Sequence, residues 1–132
     1  MANTFARPAA AALLVALAVT VPAPAHASAA PATTAATSCY GGAVTVSTDD
    51  SLEFGPYTSS ARCNDINVRI VGGDADSVNA CVKFVRYGQC NYWTNVGWGW
   101  KTIATDVLDG SRFTVPLGVD LEGATARVQI AY

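Results

Sequence analysis

Four cysteines, Cys39, Cys63, Cys81 and Cys90, limit the folds open to this 132-residue chain more than any other feature. Whether they pair depends on the compartment, and the N-terminus bears on that. Arg7 gives a weak positive start, and the apolar run AAAALLVALAVTV follows at 9–21. PAPAHA comes next, where Ala25-His26-Ala27 fits a small-x-small cleavage site. This is the layout of a secretory signal peptide over residues 1–27. The run is shorter than the roughly 20 apolar residues of a spanning helix, so a membrane anchor is not expected. An even number of cysteines in a short exported chain reads as a disulfide framework. Their spacings of 24, 18 and 9 match no C-x-x-C zinc or redox motif. Two disulfides are expected, with no metal and no cofactor.

Four cysteines allow three connectivities. Sequential pairing, Cys39–Cys63 and Cys81–Cys90, is the expectation, with one conflict. Val82–Tyr87 reads as a strand and Gly88-Gln89 as a two-residue turn. A tight hairpin there sets Cys90 opposite Tyr87 and leaves Cys81 about 20 Å up the strand, at ~3.3 Å per residue. A disulfide needs Cα atoms within about 7 Å. Sequential pairing therefore requires this segment to curl.

Residues 28–38, SAAPATTAATS, are small and uncharged. They read as a flexible tail, or as an extended segment that a partner captures by strand addition. Residues 39–132 are left as a single domain. Its periodicity is two throughout. Ala43–Ser47, Ile66–Val71, Ala80–Tyr87, Tyr92–Val96, Trp100–Val107, Arg112–Leu117 and Thr125–Tyr132 are strand candidates. Gly72-Gly73-Asp74, Gly88-Gln89, Asp109-Gly110 and Glu122-Gly123 punctuate them. This spacing predicts an all-β fold, a small antiparallel β-sandwich or barrel-like domain, with Tyr132 pinned into a sheet.

Cleavage removes His26, the only histidine. A Ser-His-Asp triad and a His-ligated zinc are then out of reach, and paired cysteines offer no thiolate. Carboxylates remain. Asp49, Asp50 and Glu53, and Asp106 with Asp109, flank turns and read as solvated turn acids. Asp74-Ala75-Asp76 lacks the calcium-loop pattern. No catalytic residue is assigned and no enzyme is expected. Ten acidic residues against eight basic ones leave no basic stripe for nucleic acid.

The binding candidates are Tyr92, Trp93, Trp98 and Trp100, in NYWTNVGWGWK at 91–101. On a strand, Trp98 and Trp100 would share a side. Facing outward they make a platform for a sugar ring or a partner protein. A domain of this size is expected to bury at least one tryptophan. Gly97 and Gly99 favour a bent or bulged strand, which obscures the facing.

RCNDINVRI (62–70), CVKFVRYGQCNYW (81–93) and IATDVLDGSRF (103–113), with the leader and tail, resemble small secreted four-cysteine β-domain proteins of actinobacteria. The layout is also similar to the adaptor subunit of umbrella toxin particles. That resemblance implies a secreted non-enzymatic adaptor whose partners are other secreted proteins, a lectin-like and a large toxin-bearing subunit. It carries no catalytic residues over. Two alternatives stand beside it. One is a hydrolase inhibitor presenting Gly72–Ser77 or Asp106–Ser111. The other is a carbohydrate or cell-wall module using the tryptophans.

Overall fold

The computed structural model describes residues 36–132. The expected signal peptide and residues 28–35 of the expected tail lie outside the described residues. A 3₁₀ turn at Tyr40–Gly42 precedes nine strands. They are β1 (Val44–Ser47), β2 (Glu53–Thr58), β3 (Ile66–Gly73), β4 (Val78–Ala80), β5 (Lys83–Phe84), β6 (Thr94–Val96), β7 (Lys101–Ala104), β8 (Arg112–Val119) and β9 (Ala126–Ala131). All pairings are antiparallel. One sheet has the order β1-β9-β3-β7. The other has the order β2-β8-β4-β6, and β5 also pairs β8.

The expected alternation builds the core. Ile66, Val68 and Ile70 from β3 and Val128 and Ile130 from β9 are buried in the first sheet. Phe113, Val115 and Leu117 from β8 are buried in the second. Between these residues the polar ones point away from the core, and they pair across strands. Arg69 donates to Gln129 Oε1 through Nε at 2.9 Å and Nη2 at 2.8 Å. The Thr102 hydroxyl donates to Asn67 Oδ1 at 2.7 Å. At one corner the sheets join, because the Ile70 N–H donates to the Gly97 carbonyl at 2.8 Å, just past β6. The sandwich is barrel-like there.

Both sequential disulfides form. Cys39 and Cys63 have Cα atoms 4.9 Å apart, and Cys81 and Cys90 5.6 Å apart. The segment between the second pair curls as pairing demanded, so the straight strand to Tyr87 is corrected. β4 and β5 lie in one register along β8, with Ala80 opposite Leu117 and Lys83 opposite Thr114. The ladder is interrupted between them at Cys81-Val82. Cys81 N–H donates to the Pro116 carbonyl at 3.2 Å, and proline has no N–H to return. The pairing ends at Val85, whose N–H donates to the Arg112 carbonyl at 2.9 Å. The chain then turns early: the Phe84 carbonyl accepts the N–H groups of Tyr87 and Gly88, both at 2.9 Å. Gly88 takes the left-handed φ of +69° that this turn needs. Cys90 lands opposite Lys83 rather than Tyr87, within reach of Cys81.

β2 lies outside every expected strand. It contains Gly55-Pro56, a cis peptide, and a register shift between Phe54 and Tyr57. The shift turns both aromatic residues toward the core although they are three apart. As an edge strand, β2 tolerates a proline. Its Glu53 is held by Lys83 on β5 and accepts the Thr114 hydroxyl at 2.6 Å. These contacts hold the Glu53 carboxyl below its ordinary pKa, with Lys83 the larger cause.

No tryptophan is buried among the described residues, which corrects the expectation of one in the core. The largest fully buried side chain is Phe113. Around it pack Tyr57, Phe84 and Tyr132, with ring centroids 5.9, 6.3 and 5.5 Å away. Tyr132 is held, but not in a sheet as expected: it lies one residue past β9. Its ring stacks on Tyr57 at 4.7 Å, and Arg62 donates to its main-chain oxygen at 3.1 and 2.6 Å.

Replacing Phe113 by alanine should cost about 3–5 kcal/mol, read as a lower urea midpoint at unchanged slope. Burial, with a smaller contribution from Tyr132, pushes the Tyr57 phenol above its ordinary pKa of 10.0. The unfolded chain therefore ionises first as pH rises. Stability from this group is complete below the ordinary phenol pKa and is lost as pH climbs through the higher folded value. Tyr57→Phe should flatten that alkaline loss in a urea-melt series against pH. An equally steep loss in the variant would assign it elsewhere.

Candidate functional site

An open groove of ≈ 790 Å³ lies between two walls. One wall is the disulfide-closed hairpin, from Phe84 through Tyr87 to Tyr92. The other is the segment Ala104–Gly110, which links β7 to β8. Ser111 and Arg112 close one end.

Asn91 joins the walls. Its Oδ1 accepts the Val82 N–H, and its Nδ2 donates to the Ile103 carbonyl, both at 2.9 Å. One carboxamide thus links the β4–β5 junction of one sheet to β7 of the other. On the hairpin, Phe84 meets the Tyr87 ring edge-on at 6.4 Å. The Arg86 guanidinium lies 5.7 Å from the Tyr87 centroid, within reach of a cation–π contact.

The opposite wall is held by polar side chains of the β2–β3 connection. Buried Ser59 donates its hydroxyl to the Leu108 carbonyl at 2.7 Å and accepts the Ser111 N–H at 3.0 Å. Its own N–H and carbonyl bond Ser111 and Gly110. The Asp106 N–H donates to Asp65 Oδ1 at 3.0 Å, and Asn64 Nδ2 donates to Asp106 Oδ1 at 3.2 Å. These contacts hold Asp106 at φ +52°, a conformation that aspartate tolerates better than most residues. Val107 is buried beneath the loop. Leu108 therefore points out, 79% exposed, on a backbone fixed at both ends.

Across from it Tyr87 is 67% exposed, and Val85 and Tyr92 are about half exposed. Four large apolar side chains thus meet water around one groove. A patch of this kind marks an interaction surface more than scattered exposure does. Of the sequence candidates, Tyr92 lines the groove. Trp93 is exposed but is not part of the lining. Trp98 and Trp100 lie in the β6–β7 turn rather than on a strand, so the same-side argument for them does not apply. Trp98 is exposed. Trp100 is half-buried, with the Tyr40 ring and the Arg69 guanidinium each 4.6 Å from its ring centroid. Both contacts compete with a sugar for the indole faces. Its place is to hold the 3₁₀ turn against the outer face of the first sheet.

Cys39–Cys63 ties that same turn to the β2–β3 connection, while Cys81–Cys90 closes the groove hairpin. Of the two candidate loops, Asp106–Ser111 forms the groove wall. Gly72–Ser77 is a braced turn. Asp74 Oδ1 accepts the Thr125 N–H at 2.6 Å and its hydroxyl at 3.1 Å, which lowers the Asp74 pKa below the ordinary value. No group of three or more potential metal ligands occurs among the described residues, and none of their helices is long and apolar enough to cross a membrane. Val85, Tyr87 and Leu108 were missed in the sequence. For Val85 and Tyr87 the only signal was the short cysteine spacing, which forces apolar residues into a closed loop; for Leu108 it was membership of the Asp106–Ser111 candidate loop.

Compared with protein-family models, curated proteins and solved structures, the chain finds no match.

Ser59→Ala should loosen the far wall without dissolving the fold. Exchange of the Ser111 amide should rise at least about tenfold, with a global cost of about 1–3 kcal/mol. Unchanged exchange would show that the loop holds itself.

Proposed function

We propose that this chain is a secreted, non-enzymatic binding and adaptor domain that docks a partner protein in the groove between the Cys81–Cys90 hairpin and the 105–111 loop. One observation carries this reading. Val85, Tyr87, Tyr92 and Leu108 converge on a single groove whose walls are fixed by hydrogen bonds and a disulfide. Fixed walls lose little entropy on binding, so the burial of apolar surface is expressed as affinity. Tyrosines beside arginines are the residue types that dominate interface energetics. Two intramolecular disulfides are typical of extracellular proteins and support export. The finer reading, an adaptor between a lectin-like and a large toxin-bearing subunit of an extracellular antibacterial complex, follows from the sequence resemblance.

A hydrolase inhibitor is the second reading, and the rigid presentation of Leu108 favours it over a sugar module. The tryptophan platform lacks a free Trp100.

Size exclusion of culture supernatant, with the protein followed by mass spectrometry, should place it in a large particle with other secreted chains. Leu108→Asp should release it to the monomer position with its melting temperature within a few degrees of wild type. A wild-type chain that elutes alone removes the stable adaptor role. Saturable inhibition of a protease or amylase, lost in the same variant, would put the inhibitor in its place.

A further inference from the structure

The groove carries charge of both signs. Asp106 and Asp109 stand exposed on the 105–111 wall, Arg86 stands on the hairpin turn, and Arg112 closes the end. The only ion pair among the described residues is Lys83–Glu53, on the outer face of the second sheet. The groove acids and bases therefore lie along one apolar surface without neutralising each other. Beside this hollow stands Leu108, the most exposed large apolar side chain.

A hollow, an adjoining knob, an acidic wall and a basic wall make a self-complementary set. We propose that the groove takes a second copy of this chain, in a two-fold dimer that sets the acidic loop of each copy against the basic hairpin of the other. The inference rests on reading the groove as a docking surface and names one occupant for it. In a two-fold contact, whatever residue i does to j, j does to i. A single Arg86–Asp109 approach is therefore made twice. Leu108 of each copy enters the hollow of the other, where Tyr87 and Tyr92 leave water. A foreign partner would have to supply an acid, a base and an apolar knob in matching order, whereas a second copy supplies them by symmetry. Opposite charge across the interface sets register and excludes other alignments. Two short loops and a groove make a contact at the small end of stable interfaces, near or below ~800 Å² per partner. The dimer is accordingly expected in exchange with monomer, with Kd on the order of micromolar. It closes the groove in the free protein, and a larger partner must displace it.

Sedimentation velocity on the secreted chain in oxidised form, from low to high micromolar, tests this. Wild type should pass from monomer to dimer and no further, with dissociation favoured by added salt. Arg86→Asp and Asp109→Arg should each raise Kd at least about tenfold, since each sets like charges together twice. The two changes on one chain should restore wild-type association. Both residues are exposed, and unchanged melting temperatures would exclude unfolding as the cause. Three outcomes overturn the dimer: monomer at every concentration, single variants that associate like wild type, or a double variant that stays dissociated. Leu108→Asp separates the two claims. If it abolishes co-elution with other secreted chains while wild type alone is monomeric, the dimer falls and the docking surface stands. If it changes neither association nor co-elution, both fall.

Discussion

Strand β8 sets the register that everything near the groove inherits. It pairs with β2 along one side, and with β4 and β5 along the other. Its inward residues, Phe113, Val115 and Leu117, are the second sheet's main share of the core. Its first residue, Arg112, holds Val85 at the last rung before the hairpin turns. Because β5 is fixed against β8, the turn after Phe84 has a fixed starting point. Cys90 then comes to rest opposite Lys83. A one-residue slip along β8 would turn Val82 and Phe84 outward. Core packing and groove geometry are consequences of the same alignment.

The groove is built by residues that are themselves unremarkable in a sequence. Asn91, Ser59, Asn64 and Asp65 make its supporting hydrogen bonds. They satisfy backbone groups that a loop of this shape would otherwise leave unpaired. Through them, apolar side chains are kept on display instead of collapsing inward. The same economy explains the tryptophans. Trp100 is held by Tyr40 and Arg69 on the outer face of a sheet, where a large ring covers polar neighbours without displacing core aliphatics.

Much of the fold was legible in the sequence. β1, β3, β8 and β9 follow strict alternation, because each buries one face against the same core. β2 was not legible, since a bulge at Gly55-Pro56 puts Phe54 and Tyr57 out of phase while both still face inward. The cysteine spacings and the turn chemistry of Gly88-Gln89 pointed opposite ways for the strand to Tyr87, and the sequence alone did not decide between them. Among the site residues Tyr92 was legible, as was the Asp106–Ser111 loop. Leu108 was not, because its exposure depends on Ser59, 49 positions away. Facing arguments failed for Trp98 and Trp100 because the glycines around them end one strand and begin another in a different sheet.

The Cys81–Cys90 bond has a consequence beyond stability. Val85 and Tyr87, two of the four exposed apolar side chains at the groove, ride on the short loop it closes. Before that bond forms, the stretch that carries Val85 and Tyr87 lacks its covalent closure. Afterwards they form one side of a fixed mould. The form of the groove is thus completed by oxidation, and one chemical event fixes both the covalent loop and the mould it lines.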